Sequence, residues 1–200
     1  MKVLRGAILI LLVSAGLIRA GTRDFGAPAA EALDPARLEF AVETAYLLGI
    51  LNNPHGYEIG AEFITARIRW GVIQDGWLRG YNQFYVLGTV QPILRGPENF
   101  YYGMSLGGRY NFVRPHSRFI PYISGGAGLG WIDSHANIRG AQGQDFTFNI
   151  LSAAGVSYQL NERWKVDVGL LYEHYSNAGQ TSPNPSLNLL GPQLGVTYSF

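Results

Sequence analysis

From Leu38 onward, the apolar residues of this 200-residue chain tend to fall on every second position, the spacing at which side chains of a β-strand share a face. Over 99–112, Tyr102, Met104, Leu106, Tyr110 and Phe112 stand on one face, and Ser105, Arg109 and Asn111 on the other. Over 144–159, Phe146, Phe148, Ile150, Ala154, Val156 and Tyr158 oppose Thr147, Asn149, Ser157 and Gln159. Over 163–177, Trp164, Val166, Val168, Leu170 and Tyr172 oppose Lys165, Asp167 and Glu173. Over 187–200, Leu194, Val196, Tyr198 and Phe200 oppose Gln193, Thr197 and Ser199. The pattern predicts eight strands, at 38–49, 57–72, 79–91, 99–112, 118–131, 144–159, 163–177 and 187–200.

Strands of this length suit a tilted crossing of a bilayer. A soluble sandwich also alternates, so other features must decide. Aromatic residues gather near span ends (Trp70, Tyr101, Tyr102, Tyr158, Trp164, Tyr198, Phe200), as interfacial girdles do. Connections at 73–78, 113–117 and 160–162 are short, whereas 92–98, 132–143 and 178–186 are longer. The final strand stops on Phe200, which resembles the terminal signal of outer-membrane barrels. In hydrocarbon every backbone amide must be paired, and strands achieve this only by closing. The expectation is an all-β fold, an eight-stranded antiparallel transmembrane β-barrel over 38–200. Barrels of this kind start and end in the periplasm, which puts the end of the seventh strand and the 178–186 loop at the outer leaflet.

Composition sharpens this picture. Hydrophobic residues make up 47% and charged ones only 14%, against about 25% charged in soluble domains. No internal run approaches the ~18 apolar residues of a membrane helix, so the apolar surface must come from alternation. At the start, Lys2 and Arg5 precede an apolar stretch from Gly6 to Ile18, with small residues at Ser14, Ala15, Gly16 and Ala20. That plan predicts a signal peptide over 1–20, cut after Ala20, and export to the outer membrane of a Gram-negative bacterium. Residues 21–37, with Pro28 and Pro35, read as a flexible lead-in. Cleavage removes three of the 15 basic residues and none of the 14 acidic ones, so the net charge becomes about −2. No basic patch for nucleic acid is expected. The absence of cysteine excludes disulfides, thiolate metal sites and lipoprotein anchoring.

Candidate chemistry lies at the outer end of the seventh strand, in Tyr172-Glu173-His174-Tyr175-Ser176-Asn177-Ala178-Gly179. His174 and Ser176 share the apolar, lipid-facing face. A polar pair there is costly except near the interface, where the orientation places it. Histidine beside a serine hydroxyl is the minimal base and nucleophile for acyl transfer. It further needs an orienting group and oxyanion donors. Asn177 and the backbone near Ala178–Gly179 are candidate donors. Asn188, on the outward face of the eighth strand, can stand beside His174 across the antiparallel pair.

The segment HYSNAG, followed by NPSLNLLGPQLGVTYSF, resembles the C-terminal motif of the lipid A 3-O-deacylase family over about the last 30 residues. Members are eight-stranded outer-membrane barrels with a serine esterase site on the outer wall. The resemblance implies His174 as base, Ser176 as nucleophile and Asn177 at the oxyanion, where the Gly179 backbone, by its place in the loop, is the further candidate donor. The family's acidic third member lies about a dozen residues after the serine, and Asn188 occupies that place here. Asparagine can accept a bond from the imidazole and fix its tautomer, but it brings no full charge. Glu173 points to the opposite face. The implied substrate is the lipid A of lipopolysaccharide, met among outer-membrane lipids, with no cofactor and no metal. A homodimer is left open, as are two rival readings: a non-catalytic structural or binding barrel, and an outer-membrane phospholipase.

The other candidates have structural readings. His55, His116 and His135 fall in turns or loops without partners at ligand spacing, and Asp133 and Asp145 are too few for calcium. The glycines of ISGGAGLG (Ile123 to Gly130) lie in a strand with no following helix or lysine, so they serve close packing in the barrel.

Overall fold

The computed structural model describes residues 32–51 and 56–200. The expected signal peptide, most of the lead-in, and His55 lie outside the described residues. Eight strands form in order: β1 (Leu38–Ile50), β2 (Glu58–Ile73), β3 (Gly80–Arg95), β4 (Phe100–Phe112), β5 (Phe119–Ile132), β6 (Phe146–Gln159), β7 (Trp164–Ser176) and β8 (Leu187–Ser199). Each pairs antiparallel with its neighbour, and β1 pairs with β8 from Glu39↔Ser199 to Ile50↔Asn188, closing the barrel. Among the described residues no strand edge is left open, as a bilayer demands.

The barrel is inverted relative to a soluble fold. Val168 and Leu170 on β7, and Leu194 and Val196 on β8, face outward and are exposed, as their alternation predicts. Arg67, Arg109, Lys165, Glu39, Glu43 and Asp167 are buried inside. A buried charge survives only when paired. Arg67 binds Glu43 at 2.6 Å, Arg109 binds Asp167 at 2.8 Å, and Lys165 pairs with Glu39. Thr197 donates to Asp167 at 2.6 Å and accepts from Arg67 at 2.9 Å. This ionic layer fills the end of the barrel bearing the connections 74–79, 113–118 and 160–163, termed here the turn end. Toward the opposite, loop end, the interior becomes apolar and aromatic, with Leu47, Ile59, Phe63, Tyr101, Leu151, Leu171 and Leu189 in one cluster.

The inward glycines of β5, Gly126, Gly128 and Gly130, bear out the packing reading, whereas Gly125 faces outward with room for a side chain. A Cβ at Gly126 would stand 2.6 Å from the Leu106 carbonyl and also collide with the Tyr85 hydroxyl, so a side chain there would displace a core ring. Two expectations are corrected. Tyr101 is not part of a girdle: it sits at an odd position of β4, faces inward, and stacks on Tyr175 at 4.4 Å. The other girdle aromatics do face outward, with Trp164 and Tyr198 at 4.8 Å near the turn end and Tyr102 and Trp131 at 5.8 Å near the loop end. The 92–98 connection is also shorter than expected. Pro92 cannot donate to a ladder, and the β2–β3 pairing skips it and resumes at Ile59↔Ile93. The strand therefore continues to Arg95, leaving only 96–99 as connection.

Candidate active site

β7 and β8 run side by side with His174 opposite Asn188 and Tyr172 opposite Leu190. Even positions of both strands face outward, so Tyr172, His174, Ser176 and Asn188 lie together on the outer wall beside the 177–186 loop, each partly exposed. On the other flank, β6 sets Ile150 against His174 and Phe148 against Ser176, an apolar border to the polar group.

The expected cross-strand contact is present: His174 Nδ1 lies 2.9 Å from Asn188 Oδ1. An amide oxygen only accepts, so Nδ1 is the donor in this contact, and a neutral ring bound in this way keeps its lone pair on Nε2. Two further bonds hold the Asn188 carboxamide. Tyr172 donates its hydroxyl to Oδ1 at 2.7 Å, and Nδ2 donates to the Ser186 carbonyl at 2.9 Å. The Tyr172 contact escapes a reading by spacing to the histidine alone. It becomes visible once β7 and β8 are set in register, where position 172 is a diagonal neighbour of 188.

Glu173 points inward, as expected, and is fully buried. It accepts from Gln91 Nε2 at 3.0 Å and from the Tyr175 hydroxyl. It therefore cannot reach His174.

The loop after β7 holds the two residues expected at the oxyanion. Ala178, Gly179 and Ser186 all adopt the left-handed conformation, which only glycine enters freely. Asn177 is buried and braces the turn. Its Nδ2 donates to the carbonyls of Thr181 (2.7 Å) and Pro183 (3.3 Å), its backbone N–H to Asn184 Oδ1 (3.1 Å), and its Oδ1 accepts from Gly179 N–H (2.9 Å). Both sets of N–H groups are thus engaged within the turn.

The two remaining carboxylate candidates have structural partners. Asp133 accepts from the backbone amides of Asn99 (2.8 Å) and Phe100 (2.9 Å), and Asp145 accepts from Ser134. Partial burial raises the Asp133 carboxyl, but the hydrogen bonds from Phe100 and Asn99 outweigh it and hold the group below the usual range. Tyr57 donates to Glu98 at 2.5 Å at the loop end, and burial followed by that bond pushes its hydroxyl far up. Among the described residues, no group of three or more His, Asp or Glu side chains could hold a metal ion.

A family model described as lipid A 3-O-deacylase (PagL) matches residues 55–197, well beyond the terminal motif. No curated protein sequence matches the chain. Among solved structures, Neisserial surface protein A (NspA) aligns with a TM-score of 0.62 at 17% identity, covering 82% of this chain and 98% of its own. The outer membrane enzyme PagL aligns with a TM-score of 0.53 at 16% identity, covering 76% and 97%. At such identities these two likenesses speak for the barrel fold.

Proposed function

The chain belongs to the lipid A 3-O-deacylase family and is an outer-membrane β-barrel, and from that membership we propose that it hydrolyses the 3-linked hydroxyacyl ester of lipid A by a serine mechanism. The observation that carries the proposal is the His174–Asn188 contact on the outer wall, with Ser176 on the same face of the same strand.

The chemistry follows from that arrangement. Ser176 Oγ attacks the ester carbonyl while His174 Nε2 accepts its proton. The tetrahedral intermediate collapses to an acyl-serine, and His174 returns the proton to the departing sugar hydroxyl. Water, deprotonated by the same imidazole, then releases the hydroxy acid. Asn188 orients the ring and holds its tautomer, but as a neutral group it stabilises the imidazolium less than a carboxylate would. Asn177 and Gly179 are the proposed oxyanion donors. Because their N–H groups are engaged in the turn, the proposal requires the turn to re-aim one of them toward the ester. A site on the outer wall suits a substrate that arrives by lateral diffusion in the outer leaflet, with the acyl chain alongside Phe148 and Ile150.

The refolded barrel, given lipid A carrying a 3-linked hydroxyacyl chain, should release the free hydroxy acid. A phosphonate ester added first should block release and leave its adduct on Ser176, found by peptide mass. Release without any adduct at Ser176 would remove the serine mechanism. Absence of release from folded protein would favour the non-catalytic barrel.

A further inference from the structure

The Asn188 carboxamide has two ends of nearly equal shape, and the chemistry of the site depends on which one faces His174. With the oxygen toward the ring, Nδ1 holds the proton and Nε2 is free to act as base. With the amide nitrogen toward the ring, Nδ1 becomes the acceptor, the proton moves to Nε2, and the ring has nothing left with which to take a proton from Ser176. A carboxylate, with an oxygen at each end, would not face this choice. An asparagine needs its neighbours to make it.

The Ser186 carbonyl makes it, and the Tyr172 hydroxyl, which can accept as well as donate, holds the group in place. The Ser186 carbonyl, an acceptor only, lies 2.9 Å from Nδ2. Turning the carboxamide over would set oxygen against oxygen there. Ser186 presents this carbonyl from a left-handed backbone (φ 54°), which non-glycine residues rarely adopt. The Tyr172 hydroxyl donates to Oδ1 at 2.7 Å from the opposite side, so the oxygen serves two donors, Tyr172 and His174. Without Tyr172 the carboxamide would keep only one bond to β7 and could swing or turn over.

We propose that Tyr172 is a positioning residue, which together with the Ser186 carbonyl fixes the Asn188 carboxamide oxygen toward His174 and so sets the imidazole tautomer. Its kinetic consequence rests on the deacylase reading above; its structural consequence does not. Tyr172 lies on the outer wall, so Tyr172→Phe removes one hydroxyl and leaves the interior untouched.

The test combines ¹⁵N NMR of the His174 ring in the micelle-bound protein with steady-state deacylation. The ring is assigned by difference from a folded His174→Gln protein. The wild type should show the Nδ1–H tautomer alone. Tyr172→Phe should give a mixture of tautomers, with kcat lower by about tenfold, the effect of one hydrogen bond, and KM unchanged. In an Asn188→Asp background, where both ends are oxygen, Tyr172→Phe should no longer alter the tautomer. An unchanged tautomer and kcat in Tyr172→Phe would overturn the proposal, as would equal sensitivity in the Asn188→Asp background. If the tautomer responds as stated but the wild type does not deacylate lipid A, the deacylase reading fails and the positioning role stands.

Discussion

At the scale of single residues, the site is a polar group of four side chains on an otherwise apolar wall. Its weak point is position 188. A neutral acceptor already stands 2.9 Å from His174 Nδ1, so a charge at 188 would add imidazolium stabilisation without correcting geometry. Asn188→Glu should therefore raise deacylation only modestly, by up to about tenfold, since a charge-assisted bond is about twice as strong as a neutral one. Asn188→Ala, which frees the ring, should lower deacylation by about a hundredfold. Rates on defined lipid A check both, and a glutamate variant no better than the alanine variant would show that position 188 does not orient the histidine. The grouping of His174, Ser176 and Asn188 on the outer wall was legible in the sequence because the three share one parity across two adjacent strands. The engagement of Asn177 and Gly179 was not. It depends on a turn whose left-handed Ala178 and Ser186 carry no sequence signal comparable to a glycine.

At the scale of elements, strand periodicity made all eight strands readable, because the outward face is apolar and the inward face carries most of the polar and ionic residues. The end of β3 and the direction of Tyr101 were misplaced. The third strand was ended at 91 although its ladder resumes beyond Pro92, and an aromatic near a strand end was read as outward although parity placed it inside. The loops were least legible, since side-chain contacts rather than patterns fix them. Asp133 is an example, tying the start of β4 to the end of β5. Its carboxyl is held below the usual range by amides that outweigh its partial burial. A group lowered in the folded state stabilises above its unfolded pKa and loses that contribution as pH falls through its folded value. The Asn99 and Phe100 amide resonances should therefore hold steady at neutral pH and shift only below the ordinary aspartate range. Asp133→Asn should remove that titration. A midpoint at or above the ordinary aspartate value would contradict the assignment.

At the scale of the whole molecule, the barrel places apolar side chains against lipid and pairs the charges of its turn-end layer inside. Asp167 answers both Arg109, at 2.8 Å, and Arg67, at 3.9 Å. Asp167→Ala would leave buried guanidinium groups short of a counter-charge and should destabilise the barrel by about 3–5 kcal/mol. On the outer wall, Leu170→Arg should cost about 2–4 kcal/mol if that position lies near the bilayer midplane. Urea unfolding in lipid vesicles reads both, and a neutral Leu170→Arg would argue against β7 facing lipid. That wall is also where function is proposed, which makes one measurement the most direct. Lipid A would be extracted from cells producing the wild type, Ser176→Ala or His174→Ala, with heat-modifiable gel mobility confirming that each variant is folded. The account predicts that wild-type lipid A loses the mass of one 3-linked hydroxyacyl chain and that both variants leave lipid A intact. The same loss of mass in cells carrying folded Ser176→Ala protein would contradict it.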